Sequence, residues 1–190
     1  MQTIRTARLK MVPVSSRNAQ LLWHTMQQPD LRTYQELPNL RLEAFTQLVA
    51  QRPSGLRRGV VGRFEWLLYV TSRRPPVGWV SLRIAESDND TGEIGYSVLR
   101  EYRGRGLATE AVRLLLTEAF ETAQLASVQA FCVPDNVASR KLLARLRFRP
   151  DGVLPRGAIV SGTPVDVLVH RLDAQRWRQS GKTIETPASV

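Results

Sequence analysis

From Ile4 to Val14 apolar and polar residues alternate and the run closes on Pro13, a pattern that predicts a first strand. Ser15 or Ser16 then offers a hydroxyl to cap a helix running to about Gln28. Leu40, Leu42, Phe45, Leu48 and Val49 recur at helical spacing and predict a second helix that stops before Pro53. The stretch QRPSGLRRGVVGR reads as a basic loop. FEWLLYVTS, VGWVSLRIA and GEIGYSVL follow, rich in aromatic and β-branched residues. Pro75-Pro76 separates the first two and the polar turn SDNDTG the last two, so residues 64 to 99 read as an antiparallel meander.

At Leu107 the period changes from two to 3.6. Leu107, Ala111, Leu114 and Leu115, flanked by Val112, Leu116, Ala119 and Phe120, make a wide apolar stripe and predict a long, largely buried helix. SVQAFCV is a further strand, Asn136 to about Leu146 a short helix, and FRPDGVL and PVDVLVHRL two final strands. The order predicts a mixed α/β sheet, mostly antiparallel, six- to seven-stranded, with a central βαβ unit and helices on both faces. A single domain over 1–177 is expected, with a disordered tail over 178–190.

Composition narrows the class. Hydrophobic residues are 43% and charged residues 23%, ordinary globular usage. The chain has no apolar run of spanning length, and MQTIRTARLK lacks the apolar core of a secretory signal, so no membrane partner and a cytoplasmic location are expected. Cys132 is the only cysteine, which excludes an internal disulfide and a zinc ribbon, and no metal site is expected. The formal charge is +10, and only Lys10, Lys141 and Lys182 among the 27 basic residues are lysines. Guanidinium groups suit phosphates, but arginine excess also follows from a genome rich in G and C. The arginines are spread along the chain, so no nucleic-acid interface is expected beyond general positive charge.

The chemistry concentrates in EYRGRGLATEAV, between a strand and the buried helix. Amides in a first helical turn lack internal partners, and glycines let a pyrophosphate approach without a Cβ in the way. Arg103 and Arg105 add charge there. A bare Gly-x-Gly is also compatible with a tight helix start.

These residues resemble the acetyl-CoA motif of the GNAT acetyltransferases: Arg or Gln, two residues, Gly, one residue, then Gly or Ala, here Arg103, Gly106 and Ala108. PDNVASRKLLARLRF is similar to that family's second motif, with Asn136, Ser139 and Phe148 in the matching places. TARLKMVPV and GEIGYSVL resemble the subgroup that acetylates ribosomal-protein N-termini, the RimJ and RimL type. The resemblance implies a GNAT fold and an acetyl-CoA-dependent N-acetyltransferase, with acetyl-CoA as co-substrate. The amides of Arg103, Gly104, Arg105, Gly106, Leu107 and Ala108 would bind the pyrophosphate. The backbone at Ser97, Val98 and Leu99 would pair with the pantetheine, and Asn136 would hydrogen-bond that arm. Asn136 equally fits a plain helix N-cap.

Two departures from the family stand out. Where many GNATs place a proton-donating tyrosine, seven residues after the asparagine, this chain has Leu143. The RimJ and RimL subgroup uses a serine or water instead, which makes Ser139 the candidate acid, its alternative being an ordinary polar helix residue. Arg147 replaces the usual glycine before Phe148, where a positive φ is expected. Glu93 is the best-placed carboxylate for a general base, or else a solvated hairpin glutamate. Glu43, Glu65 and Glu86 are weaker candidates, His24 and His170 read as structural, and Cys132 as a small buried residue.

A protein N-terminal α-amine is the expected acceptor, possible also in a ribosomal protein, with a small amine such as an antibiotic, amino acid or polyamine as the alternative. A non-catalytic acyl-CoA- or RNA-binding module is the alternative from another class. The Arg52–Arg63 loop with Trp23, Tyr34 and Trp66 is the expected acceptor surface. A monomer or homodimer is expected.

Overall fold

Alternation at the N-terminus does build extended backbone, but in two pieces. The computed structural model of the chain describes residues 1–35, 37, 39–70 and 75–181, for 180 and 181 the backbone alone. Strand β1, Ile4–Arg5, turns back into β2, Leu9–Pro13, with Ile4 opposite Met11. The expected single strand is broken because Thr6 Oγ1 accepts the amides of Arg8 and Leu9 at 3.2 and 3.0 Å, a local turn that outcompetes the ladder. This split brings the sheet to eight strands, in the order β1-β2-β3-β4-β5-β6-β8-β7, against the six to seven expected.

Helix α1, Ala19–Met26, starts later than Ser15 or Ser16 because Asn18 holds the turn before it. Its Oδ1 accepts the Ser15 amide at 2.8 Å and its Nδ2 donates to the Pro13 carbonyl at 2.9 Å. Extended backbone at Gln28, before Pro29, separates α1 from a 3₁₀ turn over Pro29–Leu31. Helix α2, Leu42–Ala50, buries Phe45 and Val49, one i,i+4 stripe. Leu40 and Leu48, expected in the apolar face, are 39% and 45% exposed because only that one stripe meets the sheet.

Strands β3 (Gly62–Val70), β4 (Gly78–Ala85) and β5 (Asp88–Val98) form the expected meander. Its last turn is shorter than SDNDTG: strand pairing resumes at Asp88 across a register shift after Ile84. Asp88 Oδ1 there accepts the amides of Asp90 and Thr91. Helix α3, Leu107–Thr117, widens into a π-helical end over Glu118–Thr122 and crosses to β6, Ser127–Cys132, which lies parallel to β5. Helix α4 (Val137–Arg145) leads to β7 (Arg149–Val160) and β8 (Thr163–Asp173), the latter antiparallel to β6.

The expected tail begins too early. Helix α5, Ala174–Gly181, is docked by Trp177, whose ring stacks on Phe120 at 5.9 Å, so residues 178–181 are helical; the rest of that tail, 182–190, lies outside the described residues.

Each face of the sheet carries its own core. Phe64, Trp66, Val80, Leu82 and Ile94 pack with Ala111, Val112, Leu115 and Leu116 of α3, while Leu67 and Trp79 pack with Leu22, Met26, Phe45 and Val49 of α1 and α2. Burying each such large side chain contributes about 1.5–3 kcal/mol, so α3 is fixed chiefly by its apolar stripe.

The helix exit after α4 keeps glycine geometry without glycine. Arg147 has φ 65°, its amide donates to the Ala144 carbonyl at 3.0 Å, and the Phe148 amide donates to Leu143 at 3.0 Å. A side chain in this left-handed region costs about 1–2 kcal/mol, partly offset by the stiffer unfolded chain. Arg147→Gly is therefore expected to stabilise the protein by about 0.5–1 kcal/mol, seen as a higher denaturant midpoint at unchanged slope.

Candidate active site

The sheet opens at its centre. Strands β5 and β6 pair in parallel from Thr91–Ser127 to Ile94–Ala130 and no further, although β5 continues to Val98 and β6 to Cys132. Beyond Ile94, β5 still pairs with β4, Gly95 with Ser81 and Ser97 with Trp79, so its other edge faces the gap unpaired by another strand, the Val98 carbonyl being met by Arg103. Ser97 and Val98 lie on this stretch. Leu99 follows it, its amide donating to the Val77 carbonyl at 2.9 Å.

The loop that leaves β5 leads to the start of α3. Gly106 is its N-cap at φ 76°, with no side-chain cap, and Gly104 has φ 75°. A Cβ at Gly104 would meet nothing within 4 Å, and one at Gly106 only Arg8 Nη2 at 3.8 Å. The first-turn amides of Leu107 and Ala108 therefore sit at a helix start with room for an anion, and the helix dipole adds to the attraction. These residues fit a pyrophosphate.

The arginines there are differently employed. Arg103 Nε donates to the Val98 carbonyl at 2.8 Å, and its Nη2 pairs with Asp30 at 3.3 Å. Arg100 also donates its amide to Asp30 Oδ2, at 2.8 Å. Arg103 thus ties the glycine loop to the segment after α1. Arg105 lies over the Tyr102 ring at 5.8 Å, and its carbonyl accepts from Arg8 Nη1 at 3.2 Å. Arg8 is in turn ion-paired to Glu110, in the first turn of α3, and Thr6 Oγ1 donates to the same carboxylate. A pocket of about 270 Å³, lined by Ala7, Arg8, Val70, Arg105 and Leu107, opens beside this lock.

Across the gap, Asn136 caps α4, its Oδ1 accepting the Ser139 amide at 3.1 Å. The cap uses the carbonyl oxygen and leaves the side-chain NH₂ to donate. Ser139 Oγ lies 2.8 Å from Tyr96 Oη of β5. Cys132 Sγ is 3.9 Å from His170 Nδ1. Burial pushes the Tyr96 phenol and the Cys132 thiol up and the His170 imidazole down, so all three favour their neutral forms. Leu143 is fully buried in the core.

The remaining candidates separate by position. Glu93, one pair before β5 and β6 part, shares a face with Gly95 and Ser97 and is ion-paired to Arg83 at 3.1 Å. Glu65 is enclosed and held by Arg52 and Arg63, which removes both arginines from the expected acceptor surface. Trp66 leaves that surface too: it is fully buried on the α3 face. Tyr34 is 41% exposed, and Trp23 Nε1 donates to the Leu40 carbonyl at 2.9 Å. His24 lies edge-on to Trp23. No group of three or more His, Cys, Asp or Glu among the described residues could hold a metal ion, and no helix there is long and apolar enough to cross a membrane.

Sequence reasoning passed over Arg8, Glu110, Asp30 and Tyr96. Glu110 has a legible signal, an acid in a first helical turn, and Tyr96 shares the inward alternation of Ile94 and Val98. Asp30 has none, since its partners are about seventy residues away. Arg8→Ala is expected to loosen the glycine loop and weaken coenzyme A binding about fivefold, or ~1 kcal/mol for so exposed a pair, with the melting temperature nearly unchanged. Calorimetry measures it, and an unaltered affinity would separate Arg8 from the loop's function.

The acetyltransferase (GNAT) domain family matches residues 8–149. An uncharacterised N-acetyltransferase of Bacillus licheniformis is 27% identical over 173 residues, 90% of this chain and 96% of its own length. YdaF of Bacillus subtilis, named as a candidate ribosomal N-acetyltransferase, is 33% identical over 100 residues, covering 53% and 55% of the two chains. Among solved structures, a ribosomal-protein alanine acetyltransferase from Vibrio fischeri aligns with a TM-score of 0.79 at 19% identity, over 93% of this chain and 99% of that one, a likeness of fold. The open sheet, the glycine-led helix and a family match over most of the 190 residues agree: the chain belongs to the GNAT acetyltransferases and is an acetyl-CoA-dependent N-acetyltransferase.

Proposed function

We propose that the protein transfers acetyl from acetyl-CoA to the α-amine of a protein N-terminus, with a ribosomal protein as the favoured acceptor class. The observation that carries the reading is the parting of β5 and β6 together with the uncapped start of α3, a slot for an extended thioester arm. The amides of Gly104 to Ala108 would hold the pyrophosphate, the edge of β5 at Ser97 and Val98 the pantetheine, and the Asn136 NH₂ the same arm, whereas the amides of Arg103 and Leu99 are already donated to the Arg100 and Val77 carbonyls.

In the reaction the amine attacks the thioester carbonyl as the carbon–sulfur bond breaks. Amides on the β5 edge stabilise the oxyanion, and fixed geometry supplies much of the rate. The sulfur takes a proton from Ser139, the hydroxyl nearest the gap on α4, a role Leu143 lacks the chemistry to fill. Glu93, on the face that bears α1 and α2, takes the amine proton through water.

The acceptor class rests on two supports. YdaF and the Vibrio fischeri enzyme are both named for ribosomal substrates. An α-amine, with pKa about 7.7–8.0, is also free at the ten-percent level at neutral pH, whereas a lysine, near 10.4, is free below about 0.1%. A site without a dedicated buried base suits the first.

The test incubates the protein with acetyl-CoA and a panel of N-terminal peptides, polyamines and aminoglycosides, following free-thiol release against Gly106→Trp. Peptides with an open α-amine should release thiol, Nα-blocked copies and the variant should not, and the rate should rise through about pH 8 as the amine deprotonates. Turnover confined to polyamines or aminoglycosides would overturn the acceptor class.

A further inference from the structure

Ser139, the group assigned above to protonate sulfur, is held from two directions. Asn136 fixes its amide through the α4 cap. The second hold comes from the opposite side of the gap. Tyr96 stands on β5 between Ile94 and Val98, which are buried toward α3, and its ring reaches across the parting of the strands to bring Oη 2.8 Å from Ser139 Oγ. The strands no longer pair at this level, and the Tyr96–Ser139 contact joins β5 to α4 beside the slot that the thioester arm is read to occupy. The Cys132 thiol of β6 lies 3.9 Å from Nδ1 of the buried His170.

We infer that Tyr96 is a positioning residue for acyl transfer: its phenol donates to Ser139 Oγ and so turns the Ser139 hydroxyl proton toward the sulfur that leaves acetyl-CoA. The inference rests on the reading of Ser139 as the acid. Its direction follows from chemistry. A phenol is a far stronger acid than an aliphatic alcohol, so between the two hydroxyls the phenol is the donor. Burial keeps it protonated. With one lone pair of Ser139 occupied by the phenol, its own hydrogen must point elsewhere, and the proposal assigns it to the sulfur of a thioester in the slot. Each hydrogen bond in such a chain polarises the next, which makes Ser139 a better donor than an isolated serine.

The step balances. The carbon–nitrogen bond forms as the carbon–sulfur bond breaks, and that electron pair goes to sulfur. Ser139 gives its proton to the sulfur and takes the phenolic proton in return, Glu93 holds the proton lost by the amine nitrogen, and solvent water reprotonates Tyr96 as Glu93 returns its proton to solvent. A tyrosine on β5, acting through Ser139, thus supplies what a tyrosine at position 143 would supply from α4.

The test compares Tyr96→Phe, Ser139→Ala and the double variant by thiol release from acetyl-CoA, with the N-terminal peptide pool and with water alone as acceptor. Tyr96→Phe keeps the ring and removes only the hydroxyl. It is expected to lower kcat about tenfold, with KM for acetyl-CoA, coenzyme A affinity and melting temperature nearly unchanged. Ser139→Ala is expected to lose about a hundredfold, and the double variant no more than Ser139→Ala alone. Wild-type kcat in Tyr96→Phe, losses that multiply in the double variant, or a defect confined to KM or stability would each overturn the role of Tyr96. Wild-type kcat in Ser139→Ala would overturn the reading of Ser139 itself, a result distinguishable from failure of the Tyr96 role alone, in which Ser139→Ala still loses its hundredfold while Tyr96→Phe turns over as the wild type does.

Discussion

Four parallel residue pairs, Thr91–Ser127 through Ile94–Ala130, join the two halves of the sheet, and the site depends on their stopping there. Had pairing continued to Val98 and Cys132, the backbone groups at the centre would be consumed by the ladder. Because it stops, one edge of β5 keeps its donors and acceptors in a gap that narrows toward Ile94. Antiparallel neighbours on both outer sides, β4 and β8, hold the two strands apart while leaving each firmly paired. An unpaired strand edge inside a sheet is costly unless something extended and polar lies along it. A pantetheine arm, with two amides, is such a group.

The same constraint explains how α3 is placed. Its apolar stripe packs on β3, β4 and β5, and its N-terminus is joined to the end of β5 by the glycine loop. Two distant segments then fix the loop before it: Arg8 from the N-terminal hairpin holds the Arg105 carbonyl and Glu110, and Asp30, after α1, holds the Arg100 amide and the Arg103 guanidinium. The glycine loop and the segment after α1 therefore share one ion pair. Positive charge near a phosphate does not by itself mean contact with it, since Arg103 is already engaged with Asp30 and the Val98 carbonyl.

Local order was legible where one period dominates. The α3 stripe, the meander and the α4 cap at Asn136 all follow from spacing and cap chemistry, and the observed elements agree to within a few residues. The misses share a physical origin. Thr6 broke the first strand by a side-chain turn, Asn18 delayed α1, and Trp177 drew the start of the expected tail into α5. Each is a contact made by one side chain, which hydrophobic periodicity does not register. At the site, the glycines and Asn136 could be read because helix ends impose them, whereas Tyr96 and Asp30 acquire their roles only when the fold brings β5 to α4 and α1 to the glycine loop.

Amide hydrogen exchange in the presence and absence of coenzyme A tests the central claim most directly, that a cofactor completes the open edge of β5 and the start of α3. The account predicts new protection at residues 97–98 and 104–108, with little change along the β3–β4 pairing. Protection elsewhere, with those two segments exchanging as before, would contradict it.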